Sequence, residues 1–547
     1  MASPPNASFL RPDALLTYPY PSQRMPLLAP RGVVATSQPL AAQAGLTMLQ
    51  RGGSAVDAAL ATAIALTVVE PTSNGIGSDA FALVWDGTRL HGLNGSGRAP
   101  AGTSVAALRA AGHTTMPAHG WWPVTVPGAP RAWADLHARF GRLPFTDLCA
   151  PAIEYAEHGY PVSPYTAAAW AAAARRYAAE HTGPEFRGWF TTFAPNSRAP
   201  TAGERWAGPG HAATLRRLAA SACRDFYEGQ TAAAIAGHAA ATGGTLTTAD
   251  LAAHISTWVE PIRAAYRGYE VWEIPPNGQG IAALLGLQIL DGLDLTAQPR
   301  DSAESYHLQI EALKLGFADA LRYVADPGYV AVPVVALLDP AYAAARRALI
   351  TDRAGDPAPG TPPRGGTVYL CAADADGMMV SYIQSNYMGF GSGIVAPDTG
   401  AALQNRGANF TLEAGHPNQL APGKRPYHTI IPGFLTCDGQ AVGPFGVMGG
   451  FMQPQGHLQM MVNTLDYGLN PQASLDAPRW QWEAGRRIAV EQGTAPAIIA
   501  GLRARGHEVV ERPVDAYFGR GQMIWRLPGG GYLAGSDKRA DGAAVGY

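Results

Sequence analysis

One peptide bond divides this 547-residue chain into two kinds of sequence. Residues Asp352–Gly366 (DRAGDPAPGTPPRGG) are rich in proline and glycine, the composition of an exposed, unstructured loop or linker. Thr367 then opens a compact apolar strand, Thr367–Ala373, followed by the turn signal Asp376-Gly377 and a second strand, Met378–Ser385. Both strands are largely apolar on both faces, as in a sheet covered on each side. A loose segment thus runs straight into a central, buried strand, and the first residue of that strand carries a hydroxyl.

The remaining chain reads as helices and short strands. Pro39–Leu49 and Ala55–Val68 are expected helices, separated by Gly52-Gly53, with Ser54 as an N-cap. The second is apolar nearly all round and so must be buried. Ala80–Trp85 reads as a strand after the turn Asn74–Gly77. Ala167–Ala179, Thr231–Ala241, Ile281–Leu290 and Ser302–Tyr323 read as helices, and Val271–Ile274 as a strand. Hydrophobic residues make up 47% and charged residues 15%, which fits a globular chain. The formal charge of −2 has no basic excess, so no nucleic-acid partner is expected. The four cysteines are scattered without a C-x-x-C pair and are expected to be buried free thiols. The histidines show no short ligand spacing, and neither metal nor cofactor is expected. Met1–Arg24 holds five prolines and no apolar signal-peptide run, and Ala58–Val69 is too short to span a bilayer. The expectation is a cytoplasmic protein with no membrane contact.

A threonine hydroxyl is a poor nucleophile without a base beside it. An N-terminal threonine supplies its own, because its α-amine has an unperturbed pKa of roughly 7.7–8.0. An internal threonine has no free amine, so Thr367 gains that base only if the Gly366–Thr367 bond is cut. The Thr367 hydroxyl can make the cut by attacking the Gly366 carbonyl, after which the resulting ester hydrolyses. Glycine at 366 suits a strained junction.

The run Thr367-Val368-Tyr369 … Asp374-Ala375-Asp376-Gly377 resembles the start of the small subunit of γ-glutamyltransferases. The series continues with Gly389–Val395 (GFGSGIV), Leu403-Gln404-Asn405, Lys424-Arg425-Pro426 and Gly449-Gly450, and Gln50–Ala61 (QRGGSAVDAALA) matches in the first half. The resemblance covers nearly the whole chain. It implies an α/β (α+β) fold, the four-layer αββα sandwich of N-terminal-nucleophile hydrolases. It also implies a proenzyme cut into a large chain, 1–366, and a small chain, 367–547, that stay associated as one globular unit. Further assembly of such pairs into a homo-oligomer is left open.

The resemblance also assigns a site. Thr367 is the nucleophile, with Gly366 and Thr367 flanking the autocleavage bond. Ser385 supports its amine or hydroxyl. Gly449 and Gly450, before a helix expected to start near Pro454, form the oxyanion hole, where unpaired N–H groups meet a carbonyl oxygen. Arg98 matches the arginine that clamps a substrate carboxylate, a task its planar fork suits. The family's acidic residue for the substrate α-amine is replaced by Asn409, its serine pair by Tyr427, His428 and Thr429, and Arg406 adds positive charge. These departures argue against an amino-acid γ-glutamyl donor. They favour a small anionic amide without an α-amine, and the sequence resembles the branch that includes oxamate amidohydrolases. The alternatives are a γ-glutamyl hydrolase or transferase acting on glutathione-like donors, and cephalosporin-acylase-like side-chain hydrolysis.

Overall fold

The computed structural model describes residues 24–357 and 366–547. Two seven-stranded sheets, antiparallel throughout, dominate it. One runs Ala543–Gly546, Val33–Thr36, Gly366–Ala373, Met379–Tyr387, Asp79–Trp85, Leu90–Asn94, Thr257–Val259. The other runs Leu27–Ala29, Tyr532–Ser536, Arg520–Arg526, Gln440–Met448, Gly433–Cys437, Tyr269–Glu273, Ile262–Tyr266. Each sheet draws strands from both sides of Thr367.

The alternation of side chains along a strand sorts the residues into layers. In the strand Gly366–Ala373, Val368, Leu370 and Ala372 join a core made with the helices Pro39–Gln50 and Ala55–Val69. Tyr369, Cys371 and Ala373 turn the other way and pack between the sheets with Phe81, Ile383, Phe434 and Ile524. The second sheet repeats the pattern. Leu435, Phe445 and Val447 face the helices Gly280–Asp291, Ala303–Tyr323 and Met452–Met461. The order is helix, sheet, sheet, helix. This is the expected αββα sandwich, and it explains why the strands at Thr367 are apolar on both faces.

Local chemistry fixes the layers in place. All of Ala55–Val69 is buried, and Ser54 caps it through a reciprocal bond with Asp57. The Asp374 carboxylate, in the turn of the Thr367 hairpin, accepts from Ala55 N at 2.8 Å and so ties the hairpin to that helix. Three expectations change in detail. The helix expected near Pro454 starts at Met452, because proline fits within a first turn, where N–H groups have no helical acceptor. Cys437 is only half-buried, whereas the other three thiols are buried. Residues 352–357 of the proline-rich segment include anchored backbone, with Ala354 N donating to Arg505 O at 2.8 Å and Gly355 N to Glu311 at 2.9 Å. Residues 358–365 and 1–23 lie outside the described residues. Among those described, no helix is long and apolar enough to cross a membrane.

The inter-sheet layer predicts a stability contrast. Ile383→Ala, at a site with 0% exposure, should cost about 2–5 kcal/mol in denaturant unfolding. Val335→Ala, at 88% exposure, should stay within about 0.5 kcal/mol of the parent.

Candidate active site

Thr367 lies at the end of the inter-sheet layer, fully buried, on the same face of its strand as Tyr369. The ladder to the neighbouring strand is irregular here. Gly366 pairs with Tyr387 and Val368 with Gln384, so the register shifts across Thr367. Such bulges re-aim a side chain and are frequent beside active sites. The Thr367 hydroxyl meets the Ser385 hydroxyl at 3.0 Å. Ser385 Oγ also accepts from Tyr387 N at 2.7 Å, in a backbone turned to φ +76° at Tyr387.

Arg406 organises what surrounds this pair. Its guanidinium is fully buried and donates through Nη2 to Ser385 Oγ at 2.9 Å and through Nη1 to Thr429 Oγ1 at 2.5 Å. Its face lies 4.4 Å from the centre of the Tyr387 ring. Burial pushes its pKa down to about 10, opposed by the charge of Asp79, and the group stays cationic at neutral pH. The network then crosses to the other sheet. Gln279 Nε2 donates to Thr429 O at 2.7 Å and to Gly450 O at 2.9 Å, while Gln279 Oε1 accepts from Tyr427 OH at 3.2 Å. A continuous chain of contacts therefore links the Thr367 hydroxyl to the glycine pair.

Gly449 and Gly450 leave the strand Gln440–Met448 at φ +137° and +62°, and their carbonyls accept from Met452 N and Gln453 N as the next helix begins. Neither glycine N–H has a partner among the described residues. A side chain would meet strain at both positions, and at Gly449 a Cβ would also press on Met452 Cβ at 3.1 Å and Gly519 Cα at 3.2 Å. This is the construction an oxyanion hole requires.

Asp79 is the residue that the sequence reading missed. It pairs directly with Ser385 across the ladder and is fully buried. Its carboxylate accepts from Gly97 N at 3.2 Å, Gly128 N at 3.1 Å and His428 Nε2 at 3.1 Å. Burial pushes its pKa up to about 7, with Arg406 and the two backbone N–H groups pulling the other way. His428 is held well below its usual range by burial and by Arg406 and Arg425, which makes it a neutral partner of Asp79. The sequence did carry a signal, a carboxylate at the first position of an otherwise apolar strand. Gln279 had none, because it caps a helix at a point where no pattern singles it out.

Most of the expected residues meet here. Thr367, Ser385, Arg406 and Thr429 are bonded in series, and His428 adjoins them through Asp79. Asn409 is half-buried and spends its amide donor on Tyr427 O at 3.0 Å. Arg98 is set apart from this series. Its side chain is 42% exposed and reaches Asp326 at 3.4 Å and the Gly423 carbonyl at 3.0 Å. A chamber of about 910 Å³ opens beside the site. Met388, next to Tyr387, and Met448, next to Gly449, line it with Ser73, His119, Arg176 and Glu180.

The two bonds of the Arg406 fork generate a prediction. Arg406→Lys keeps the charge but cannot hold both hydroxyls in a planar fork. Losing one charge-assisted bond of about 1.5–3 kcal/mol should slow turnover by about tenfold to a hundredfold, measured as kcat on any amide the parent cleaves.

The family model for gamma-glutamyltranspeptidase matches residues 41–547. The chain is 36% identical to the glutathione hydrolase-like YwrD proenzyme of Bacillus subtilis, covering 95% of this chain and 99% of that protein. It is 35% identical to the oxamate amidohydrolase proenzyme of Klebsiella pneumoniae, covering 94% and 98%. A crystal structure of cephalosporin acylase from Bacillus halodurans superposes with a TM-score of 0.94 at 55% identity, covering 97% of this chain and 98% of that one. The chain therefore belongs to the γ-glutamyltranspeptidase family and is a hydrolase-type enzyme with the N-terminal-nucleophile fold.

Proposed function

We propose that this protein cuts itself between Gly366 and Thr367 and then hydrolyses amides whose acyl half carries a carboxylate and no α-amino group. The observation that carries the reading is the buried contact of the Thr367 hydroxyl with Ser385, whose Oγ also accepts from Arg406, at the start of a central strand. In maturation the Thr367 Oγ attacks the Gly366 carbonyl carbon, the C–N bond breaks, and the nitrogen leaves as the Thr367 α-amine. Water then hydrolyses the ester and releases the Gly366 carboxylate. In turnover the α-amine takes the Thr367 hydroxyl proton as Oγ adds to the substrate carbonyl. The N–H groups of Gly449 and Gly450 stabilise the oxyanion. The leaving nitrogen departs with the proton, and water frees the acid from Thr367.

The substrate class follows from charge. An amide at Asn409 does not pair with an ammonium as a carboxylate does, so the site lacks the partner a γ-glutamyl α-amine needs. Arg98 meets Asp326 at 3.4 Å and the Gly423 carbonyl at 3.0 Å through the same Nη1, and its 42% exposed side chain is free enough to take an acyl carboxylate. Oxamate meets this charge requirement. The chamber of about 910 Å³ favours a second, larger member of the same class, an acyl chain ending in a carboxylate on a bulky leaving amine. The likeness to a cephalosporin acylase supports that reading.

Thr367→Ala should give a single uncut and inactive chain, because one hydroxyl serves both maturation and turnover, whereas Thr367→Ser should still be cut. Intact mass and N-terminal sequencing under denaturing conditions check this, and an uncut Thr367→Ala protein with parental turnover would overturn the mechanism. Among oxamate, glutaryl amides of bulky amines and γ-glutamyl-p-nitroanilide, the first two should be cleaved in preference. Arg98→Ala should mature normally and raise KM for the anionic amides by about tenfold to a hundredfold, the value of one charge-assisted bond of about 1.5–3 kcal/mol. Turnover of γ-glutamyl-p-nitroanilide alone would refute the substrate class and leave the nucleophile assignment standing.

A further inference from the structure

The chamber wall carries a group of side chains that the proposed chemistry does not use. His119, Glu180 and His181 each offer one donor atom, and the three atoms lie within 4.8 Å of one another. His119 comes from a loop fixed on both sides. Ala118 O accepts from Asn405 Nδ2 at 2.7 Å, and Gly120 N donates to Ser392 O at 2.9 Å. Glu180 ends the helix Pro164–Glu180, and His181 is its C-cap. The two imidazoles lie 4.4 Å apart at an angle of 59°. His181 is stacked on Phe186 at 4.4 Å and His119 is set edge-on against Tyr177 at 5.5 Å, so neighbouring rings restrict both imidazoles.

Two further observations point to a ligand. Nε2 of His119 and Nε2 of His181 are both buried and have no hydrogen-bond partner among the described residues. His181 as a whole is 5% exposed. A buried polar atom without a partner is costly, so two of them on neighbouring rings call for an occupant. The carboxylates of Glu180 and Glu185 act on His181 against the guanidinium of Arg176, which also acts on His119. A second group, His307, Glu311 and His507, differs on this point. There Lys314 Nζ donates to Glu311 at 2.7 Å and already holds a cation beside the carboxylate, and the two rings bond each other at 2.9 Å, which leaves one nitrogen, His507 Nδ1, without a partner among the described residues.

We propose that His119, Glu180 and His181 form a binding site for one divalent transition-metal ion, with Zn²⁺ the best match, in the wall of the chamber beside Thr367. Two imidazole nitrogens and one carboxylate are the donor set of zinc sites that keep a position open. Magnesium and calcium prefer all-oxygen ligands and fit this set poorly. His119 and Glu180 both line the chamber, so an ion held there would be reachable from it. Exposed Glu180 has the freedom to swing onto the ion, while the two rings are already held.

The test uses the matured full-length protein, stripped with a chelator and titrated with Zn²⁺ by calorimetry and with Co²⁺ by visible absorption. The expected result is one ion per pair of large and small chains, with Co²⁺ bands typical of mixed nitrogen and oxygen ligation. Glu180→Gln changes an exposed side chain and leaves the core untouched. It should weaken binding by about tenfold or more, and so should His119→Ala. The absence of binding to the parent protein would overturn the proposal. So would binding that Glu180→Gln and His119→Ala leave unchanged. Self-cleavage is scored separately on a denaturing gel, so failure of the metal site and failure of the nucleophile assignment are told apart.

Discussion

The arrangement of this site depends on a fully buried guanidinium. Arg406 is fully enclosed, and a buried cation is costly unless it is paired and hydrogen-bonded. Ser385 and Thr429 take two of its N–H groups, the Tyr387 ring covers one face, and Asp79 supplies the opposing charge, while Nε has no partner among the described residues. Each of these partners is itself fixed in a strand or by a short hydrogen bond. Placing the arginine therefore also places the hydroxyl beside Thr367, the backbone of Thr429, and through Gln279 the carbonyl of Gly450.

The sandwich supplies the rigidity that such an arrangement needs. Thr367, Ser385 and Asp79 sit on three neighbouring strands of one sheet, and the glycine pair leaves a strand of the other. The inter-sheet layer between them is close-packed and apolar, so the two halves of the site move only if the sheets do. The bulge at Thr367 and the positive φ of Tyr387 interrupt the regular ladder where the Thr367 and Ser385 hydroxyls meet. The chamber beside it is built mainly from helices and loops, where substrate preference is free to change without disturbing the sheets.

Much of this was legible along the chain. Apolar residues on both faces of Thr367–Ala373 require cover on each side, and the resemblance to γ-glutamyltransferases implied that a second sheet and outer helices supply it. Ser54 with Asp57 announces its helix, and a glycine pair closing an apolar strand announces a turn into a helix. Asp79 was readable as a charge opening a buried strand, but its meaning was not, since its partner His428 is 349 positions away. Arg98 shows the converse. Its local pattern points to a carboxylate clamp, while the fold sets it beside Asp326 and Gly423 and away from the buried hydroxyl series.

Sequence alone determined that the strand carrying Thr367 is covered on both faces, and it determined the glycine pair and the hydroxyl at the loop-to-strand junction. These follow from periodicity and from backbone preferences, which act over a few residues. Tertiary structure decided which side chains meet. Ser385 faces Asp79 because of ladder register, Arg406 reaches Ser385 and Thr429 together because a short helical turn aims it inward, and His119 meets His181 because a loop folds onto the end of a helix. Hydrogen bonds and ligand sets close over a few ångströms in space, and nothing in the linear spacing of a chain records that distance.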